Sequence, residues 1–286
     1  MQKPANAVIV ISSHVIRGAV GNRVVGFTLE SMGHPVWALP TVIMPWHPGQ
    51  GPSTRILTDD ALFETVLAEL AASNFAIEVK AVISGYFSST RQVEAVGHLV
   101  KALRQRNPDL LYLCDPVLGD DGGLYIAEPV AAKIRDVLIP EASIVTPNRF
   151  ELGWLTGRDL HTNNDLIVAG LSLGPKSVLV TSAYALMAQS VANLLIEDGK
   201  AVLAEHRKID GLHSGTGDLF AATFLARLLQ GANAERALQL ASASVFEIVA
   251  RSVRKHADGL LMAEEADSLR NPTAMVQMRQ LRVSET

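Results

Sequence analysis

Short runs of apolar residues recur along the chain, and longer segments with a helical period of apolar and polar positions lie between them. The runs are apolar throughout, which is typical of strands that helices cover on both faces. The predicted strands are residues 7–12, 36–39, 81–84, 110–114, 143–145, 177–181, 191–196 and 201–205. The predicted helices between them are residues 59–73, 91–106, 129–138 and 163–173.

This alternation of strands and helices predicts an α/β fold with one doubly wound, mostly parallel sheet and helices on both faces. Residues 191–196 and 201–205 are an exception, because the "EDGK" between them suits the tight turn of a hairpin. Two consecutive helices follow, at 218–230 and 234–251, with Asn233 as the predicted N-cap of the second. We predict a single domain over residues 1–286, in which residues 270–286 form a C-terminal tail without an interpretable motif.

Composition and charge narrow the possible partners and compartment. The 286 residues are 48% hydrophobic, which is enough for a substantial core. The net charge of −4 argues against a nucleic-acid surface. The apolar stretch within residues 1–12 is too short for a signal peptide, and the sequence predicts no membrane span. Cys114 is the single cysteine, which fits a reducing compartment. We therefore predict a cytoplasmic protein in which Cys114 is a buried, inert thiol.

Small polar residues follow several of the predicted strands directly. The groups are Ser13-His14, Ser84-Gly85-Tyr86, Asp115-Pro116, Thr146-Pro147-Asn148 and Thr181-Ser182. Each group alone is compatible with an ordinary strand-to-helix turn. Because ligands bind at the carboxyl ends of strands in open α/β sheets, the five groups together predict a site at this edge.

The stretch "DGLHSGTGDLFAATFLARLL", residues 210–229, places two glycines and an aspartate before an apolar helix. The N-terminus of a helix has unpaired N–H groups and a partial positive charge, and Gly215 and Gly217 would let an anion approach them. Asp218 would repel a bound phosphate, but it could accept the proton of an attacking hydroxyl group in phosphoryl transfer. The alternative is that Asp218 only complements the helix dipole and that the glycines form an irregular turn. No Walker A pattern occurs, which excludes a P-loop site.

The segment "HSGTGDLFAATFL" resembles the anion hole and catalytic base of the ribokinase superfamily, in the form found in pyridoxal kinases. Four further segments resemble that family in the same order: "SHVIRGAVGN" from residue 13, "SGYFSS" from 84, "CDPVLGDDGGLYI" from 114 and "TPNRFEL" from 146. The resemblance implies a ribokinase-like fold and an ATP-dependent kinase of pyridoxal.

The resemblance also implies roles for individual residues. Asp218 would remove the proton of the 5′-hydroxymethyl group of pyridoxal, and the backbone of Gly215, Thr216 and Gly217 would bind the γ-phosphate. Residues near ATP and its Mg²⁺ would be Asp115, Thr146, Asn148, Glu151, Thr181 and Ser182, with Asp115 and Glu151 acting on the metal, Glu151 through water. Residues of the pyridine pocket would be Ser13, Val20, Val42, Met44, His47 and Tyr86. The family further implies a monovalent cation such as K⁺ and a homodimer.

Simpler structural roles remain as alternatives for some of these residues. Glu151 would be favourable in the first turn of any helix, Asp115 could form a turn before proline, and Tyr86 could serve packing alone. His47 could be an ordinary surface-loop residue. Trp46 and Trp154 could lie in the core or at its rim.

Residues 40–51 depart from the family pattern, since "PTVIMPWHPGQG" stands where similar proteins carry a stretch like "NTVQFSNHTxY". The loop would lose a hydroxyl group and be stiffened by three prolines, while Trp46 could stack on a ring, so the preferred form of vitamin B6 stays open. Two other functions also remain: a kinase of another heterocycle such as hydroxymethylpyrimidine, and a non-catalytic vitamer-binding protein. "SHVIRGAVGN" argues against the first and Asp218 against the second.

Overall fold

A ten-stranded sheet forms the centre of the protein in a computed structural model that describes residues 6–211 and 214–283. Leu212 and His213, which belong to two of the segments quoted above, lie outside the described residues, as do residues 1–5 and 284–286. In chain order the strands are β1 (Ala7–Val15), β2 (Val36–Met44), β3 (Ile56–Leu57), β4 (Val79–Ser84), β5 (Leu111–Cys114), β6 (Gly119–Asp120), β7 (Gly123–Leu124), β8 (Ile144–Val145), β9 (Ser177–Ala183), β10 (Ser190–Glu197), β11 (Lys200–Arg207) and β12 (Gln277–Leu281).

The sheet has the strand order β12-β11-β10-β9-β8-β5-β4-β1-β2-β3, and β6 and β7 form a separate small hairpin. The strands from β2 through β1, β4, β5 and β8 to β9 pair in parallel. The two ends are antiparallel: β10 to β12 on one side and β3 on the other. This confirms the predicted α/β fold and the hairpin of β10 and β11.

Helices cover both faces of the sheet. They are α1 (Asn22–Ser31), α2 (Asp60–Ala72), α3 (Thr90–Arg106), α4 (Glu128–Lys133), α5 (Arg149–Thr156), α6 (Asn163–Leu173), α7 (Thr216–Leu229), α8 (Ala234–Arg254) and α9 (Ala266–Arg270). Side chains of α2 to α6 pack in the hydrophobic core on one face, and those of α1, α7, α8 and α9 pack in the core on the other. Successive residues of β1 alternate between these cores, with Ile9 and Ile11 in the first and Val8 and Val10 in the second. Burial on both faces explains why the strand is apolar throughout.

Helix α1 and strand β12 are absent from the sequence-based prediction. Helix α1 begins after Gly21, which has no side chain to form an N-cap, so the usual sequence sign of a helix start is missing. Strand β12 is polar, with the sequence QMRQL, and occupies the edge of the sheet. Arg279 in β12 forms an ion pair of 2.9 Å with Glu205 in β11, whose side chain is fully buried. The tail therefore contributes an ordered strand. None of the described helices combines the length and apolar character that a bilayer span requires.

Candidate active site

The start of α7 depends on two glycines that differ in their surroundings. Gly215, the N-cap, is left-handed at φ 82°, and a Cβ added to it would lie 1.9 Å from the carbonyl oxygen of Ala19. Only glycine therefore allows the start of α7 to contact the segment that follows β1. An added Cβ at Gly217 would meet no atom within 4 Å. Gly217 consequently leaves open space beside the N-terminus of the helix, where an anion can reach the backbone.

Asp218 is fixed by a main-chain contact from a distant part of the sequence. Its Oδ2 atom accepts a hydrogen bond of 2.9 Å from the N–H of Gly21. Gly21 in turn lies against Ser13, since an added Cβ would come within 2.3 Å of the Ser13 carbonyl oxygen. Burial raises the pKa of Asp218 to about 6, and the Gly21 N–H partly opposes this rise. The carboxylate is therefore ionised at neutral pH and is a stronger base than an ordinary aspartate.

Asp115 follows β5 and lines a narrow cleft together with Asp218 and Ser84. Burial, and then the negative charges of Glu151 and Asp218, raise the pKa of Asp115 well above its ordinary value. The hydroxyl group of Thr146 lies beside Asp115 and partly opposes this rise. Its Oγ1 atom is buried and makes no normal hydrogen bond with another described residue. The strand edge thus brings together three carboxylates and the buried hydroxyl group of Thr146.

Asn148 and Glu151 connect the start of α5 to the turn at residues 118–119. They form a capping box, in which Asn148 Oδ1 accepts from the Glu151 N–H and Glu151 Oε2 accepts from the Asn148 N–H. Glu151 Oε1 also accepts from the N–H groups of Leu118 at 2.8 Å and Gly119 at 3.4 Å. Burial raises the pKa of Glu151 to about 7, and these N–H groups oppose the rise.

Val117 precedes that turn with φ 46°, an unfavourable conformation for a β-branched residue. Glu151, which accepts from the N–H groups of this turn, and Asn148, whose Nδ2 donates to the Gly119 carbonyl oxygen at 2.8 Å, therefore hold a strained turn beside Asp115.

The acidic residues fit a hydrated Mg²⁺ better than a directly chelated metal. The described parts of the chain contain no group of three or more histidine, cysteine, aspartate or glutamate side chains that could hold a metal ion. Burial disfavours the ionised forms of Asp115 and Glu151, and the negative charge of Glu151 adds to this at Asp115. A cation nearby would stabilise both carboxylates. Mg²⁺ commonly keeps several waters and takes one or two protein carboxylates together with phosphate oxygens. The donor set matches that mode of binding.

A small apolar cluster adjoins Gly21, the hydrogen-bond partner of Asp218. It contains Val20, Val42 and Met44, all buried, which pack with Val15 and the half-buried ring of Tyr86. The predicted pocket residues Val20, Val42, Met44 and Tyr86 are thus brought together, and buried Ser13 adjoins them through Gly21.

The segment 40–51 is a loop only in its second part. Residues 40–44 belong to β2, so the prediction that Pro40 stiffens a loop is wrong. His47 caps a short 3₁₀ turn, Pro48–Gln50, and its Nδ1 atom accepts from the Gly49 N–H at 3.1 Å. Trp46 is 37% exposed, and its Nε1 atom donates to the Gly51 carbonyl oxygen at 3.2 Å. Both side chains therefore bind the backbone of their own loop, which directly follows Met44 of the apolar cluster.

A larger cavity of about 550 Å³ reaches the N-terminus of α7, where Thr216 and Gly217 line it. Its polar lining includes the predicted residues Thr181, Ser182, Thr216 and Gly217. Its apolar wall is formed by Phe220, Val245, Phe246 and Val249. This combination of an apolar wall with polar groups at one end suits a planar ring that carries a charged chain.

Sequence reasoning assigned no role to several residues of the site. Gly21, whose N–H donates to Asp218, lies in the quoted "SHVIRGAVGN" segment. The one sign of it in the sequence is the glycine itself, which permits its left-handed φ of 55°. Arg149 and Lys208 add positive charge to the cavity lining. Cys114 is fully buried, which confirms that part of its prediction, and burial raises its pKa to about 12, as expected for an inert thiol.

Known proteins resemble this chain over most of its length. The profile of a family described as phosphomethylpyrimidine kinase matches residues 58–262. The pyridoxine/pyridoxal/pyridoxamine kinase of Bordetella avium is 35% identical over 257 residues, which are 85% of this chain and 84% of that protein. The pyridoxal kinase of Homo sapiens is 36% identical over 240 residues, 77% and 76% of the two chains. A structure of pyridoxal kinase from Leishmania donovani in complex with ADP and pyridoxamine matches with a TM-score of 0.90 at 27% identity, over 96% of this chain and 99% of that one.

Proposed function

The chain belongs to the phosphomethylpyrimidine kinase family and, within it, to the pyridoxal kinases, and on this premise we propose that it phosphorylates pyridoxal. It is a kinase, and the acceptor in this proposal is the 5′-hydroxymethyl group, so that the product is pyridoxal 5′-phosphate. The position of Asp218 carries the proposal: its carboxylate accepts from the Gly21 N–H at the N-terminus of α7. Gly217, the residue before it, lines the large cavity, and Val20, the residue before Gly21, belongs to the apolar cluster.

In the proposed reaction the 5′-hydroxyl group transfers its proton to Asp218 as its oxygen attacks the γ-phosphorus of ATP. The new bond joins the 5′-oxygen to phosphorus, the bond to the bridging oxygen of ADP breaks, and ADP leaves with that electron pair. The Gly21 N–H holds Oδ2, which orients the carboxylate so that Oδ1 can receive the proton. N–H groups at Gly215, Thr216 and Gly217 would offset the charge on the transferred phosphoryl group.

Asp115 and Glu151 would hold Mg²⁺, with Glu151 acting through water, and a monovalent cation such as K⁺ would assist as the family resemblance implies. Mg²⁺ supplies positive charge that offsets the triphosphate. The Glu151 carboxylate has about four lone-pair sites, so three main-chain N–H groups do not exhaust it. Thr146, Asn148, Thr181 and Ser182 would contact ATP or the water around the metal.

The apolar cluster that adjoins Gly21 would hold the pyridine ring. Val20, Val42, Met44 and Tyr86 supply its apolar lining, and Ser13 offers a hydroxyl group close to Gly21. His47 would meet the ring from the rim. A planar heterocycle needs this kind of slot with a few directed polar groups.

Steady-state rates on four alcohols test the proposal. We expect pyridoxal, pyridoxine or pyridoxamine to give the highest kcat/KM with ATP, and hydroxymethylpyrimidine to be a poor substrate. Hydroxymethylpyrimidine is included because the matching family is described as phosphomethylpyrimidine kinase. A preference of more than about a hundredfold for the pyrimidine, some 2.7 kcal/mol in transition-state binding, would overturn the proposal.

A buried glutamine is expected to control the shape of the pyridine pocket. Gln92 is fully buried; its Nε2 donates to the Thr41 carbonyl oxygen at 3.0 Å and its Oε1 accepts from the Ser88 N–H at 3.0 Å. Thr41 Oγ1 donates to the Tyr86 carbonyl oxygen, so this network ties β2 to the Tyr86 segment. We expect Gln92→Leu to raise KM for the B6 substrate about tenfold and KM for ATP less than twofold, because it removes the hydrogen bonds that hold the Thr41 carbonyl oxygen and the Ser88 N–H together and leaves Thr41 only a long contact of 3.4 Å from the Ser88 hydroxyl group.

Gln230→Leu serves as the control for this variant. Gln230 also donates to a carbonyl oxygen, that of Met32, but it lies at the opposite end of α7 from Asp218. An equal rise of both KM values in Gln92→Leu would show general damage to the fold and contradict the assignment.

The family resemblance also suggests a homodimer, and the single cysteine suggests a cytoplasmic location, as part of the same proposal. Nucleic acid and membranes are not among the proposed partners, which are pyridoxal and ATP. Light scattering of the purified chain tests the dimer.

A further inference from the structure

The reaction proposed above assigns no role to Arg149, a cationic residue in the lining of the large cavity. It is the first residue of α5, directly after Asn148, and it is half-buried in the lining of the cavity with Thr181, Ser182 and Gly217. Its guanidinium carbon lies 4.5 Å from the centre of the Tyr184 ring. Within residues 6–211 and 214–283 it forms no ion pair with a carboxylate. Its positive charge is therefore available to a ligand.

Tyr184 is a rigid support for this guanidinium group. Its hydroxyl group donates to the Leu160 carbonyl oxygen at 2.6 Å. Its backbone N–H and carbonyl groups pair with the side chain of Asn163 at 3.1 and 2.7 Å. A fixed ring that holds Arg149 by a cation–π interaction lowers the entropy cost of placing the guanidinium for a ligand.

The charges around the cavity favour an anion as that ligand. Lys208 also lines the cavity, but its Nζ atom pairs with Asp210 at 3.2 Å. Thr181, which forms a β-bridge with Asn148, also lines the cavity but carries no charge. A nucleotide triphosphate at the start of α7 would bring several negative charges next to Arg149. The planar guanidinium group can donate two parallel hydrogen bonds to phosphate oxygens, which an ammonium group cannot do.

We propose that Arg149 binds the polyphosphate of the nucleotide and that Tyr184 positions it for this contact. The inference rests on the proposed kinase function, because it places ATP in the cavity of about 550 Å³. It adds a cationic phosphate contact on the side of α5, separate from the N–H groups of α7.

Nucleotide binding measured by calorimetry without an acceptor alcohol tests the inference. Wild type, Arg149→Ala, Arg149→Lys and Tyr184→Leu are each titrated with adenosine, AMP, ADP and ATP in the presence of Mg²⁺. We expect Arg149→Ala to weaken ADP and ATP about 10- to 100-fold and adenosine less than twofold. Arg149→Lys should recover part of the loss, and Tyr184→Leu should show a smaller loss that is again confined to the phosphorylated ligands.

Arg158→Ala is the matched control, since Arg158 is an exposed arginine just beyond the end of the same helix. It should bind all four ligands as the wild type does. Equal weakening of adenosine and ATP in Arg149→Ala, or no weakening of either, would overturn the inference. Failure of the proposed function would look different, because the wild type would then bind nucleotide without turning over pyridoxal. If Arg149→Ala does not fold, Arg149→Gln is used, with thermal denaturation as the check.

Discussion

Asp218→Asn is expected to lower kcat about 10²- to 10⁴-fold without loss of nucleotide binding. The asparagine side-chain oxygen can still accept from the Gly21 N–H, so the geometry at the start of α7 is retained. The amide cannot take the proton of the attacking hydroxyl group, which removes general base catalysis. Turnover of pyridoxal and calorimetric binding of ADP measure the two effects. An unchanged kcat would exclude Asp218 as the base, and Asp109→Asn, in an exposed position before β5, is the control.

The same substitution should make the protein more stable at neutral pH. The pKa of Asp218 in the folded protein is about 6, against 3.8 for an ordinary aspartate. The ionised side chain therefore opposes folding above pH 6, and this penalty disappears as pH falls to 4. Since one pKa unit corresponds to about 1.4 kcal/mol, Asp218→Asn should gain up to about 3 kcal/mol at pH 8. Thermal denaturation should show a difference in Tm at pH 8 that shrinks at pH 4.

The wild-type pH profile follows from Asp218 together with Glu151. A base must be ionised to accept a proton, so kcat/KM should begin to fall below about pH 7, where Glu151 gains a proton, and should fall more steeply below about pH 6, where Asp218 does.

Gly215→Ala and Gly217→Ala are expected to fail in different ways. Gly215→Ala places a methyl group 1.9 Å from the Ala19 carbonyl oxygen at a left-handed residue. We expect a loss of about 2–4 kcal/mol in stability, together with a loss of activity, because the segment carrying Gly21 must move away from Asp218.

Gly217→Ala meets no atom within 4 Å and lies in the first turn of a helix, where alanine is favourable. Its stability should stay within about 1 kcal/mol of wild type. The methyl group would instead occupy the space through which a phosphate reaches the backbone, so kcat/KM for ATP should fall about 10- to 100-fold. Denaturation midpoints and ATP kinetics of the two variants separate these effects. Wild-type ATP kinetics in Gly217→Ala would exclude this backbone position from the anion hole.

The sequence was informative where local pattern and local structure coincide. The apolar runs of β1 and β9 and the apolar helix α7 follow from burial on both faces, which a single segment reveals. Helix α1 was missed because its start at Gly21 carries no capping side chain. Strand β12 was missed because its place at the edge leaves it polar.

The candidate site shows the same division. Asp218 and the glycines before it stand together in the sequence, so their place together at the start of α7 could be predicted from one segment. The hydrogen bond between Asp218 and Gly21 joins residues 197 positions apart, and no local pattern encodes it. The contacts of Glu151 with Leu118 and Gly119 use main-chain N–H groups, which every residue but proline carries. The sequence therefore indicated that Glu151 matters without showing which atoms it holds.

Strand β12 is expected to protect the purified protein from aggregation. By pairing with β11 it covers a row of backbone N–H and C=O groups that would otherwise be open to strands of other molecules. Shortening the chain before Arg279 would both expose that row and strip buried Glu205 of its ion-pair partner. Such a truncated enzyme would aggregate by pairing of its exposed sheet edges, although every residue of the proposed catalytic apparatus was still present.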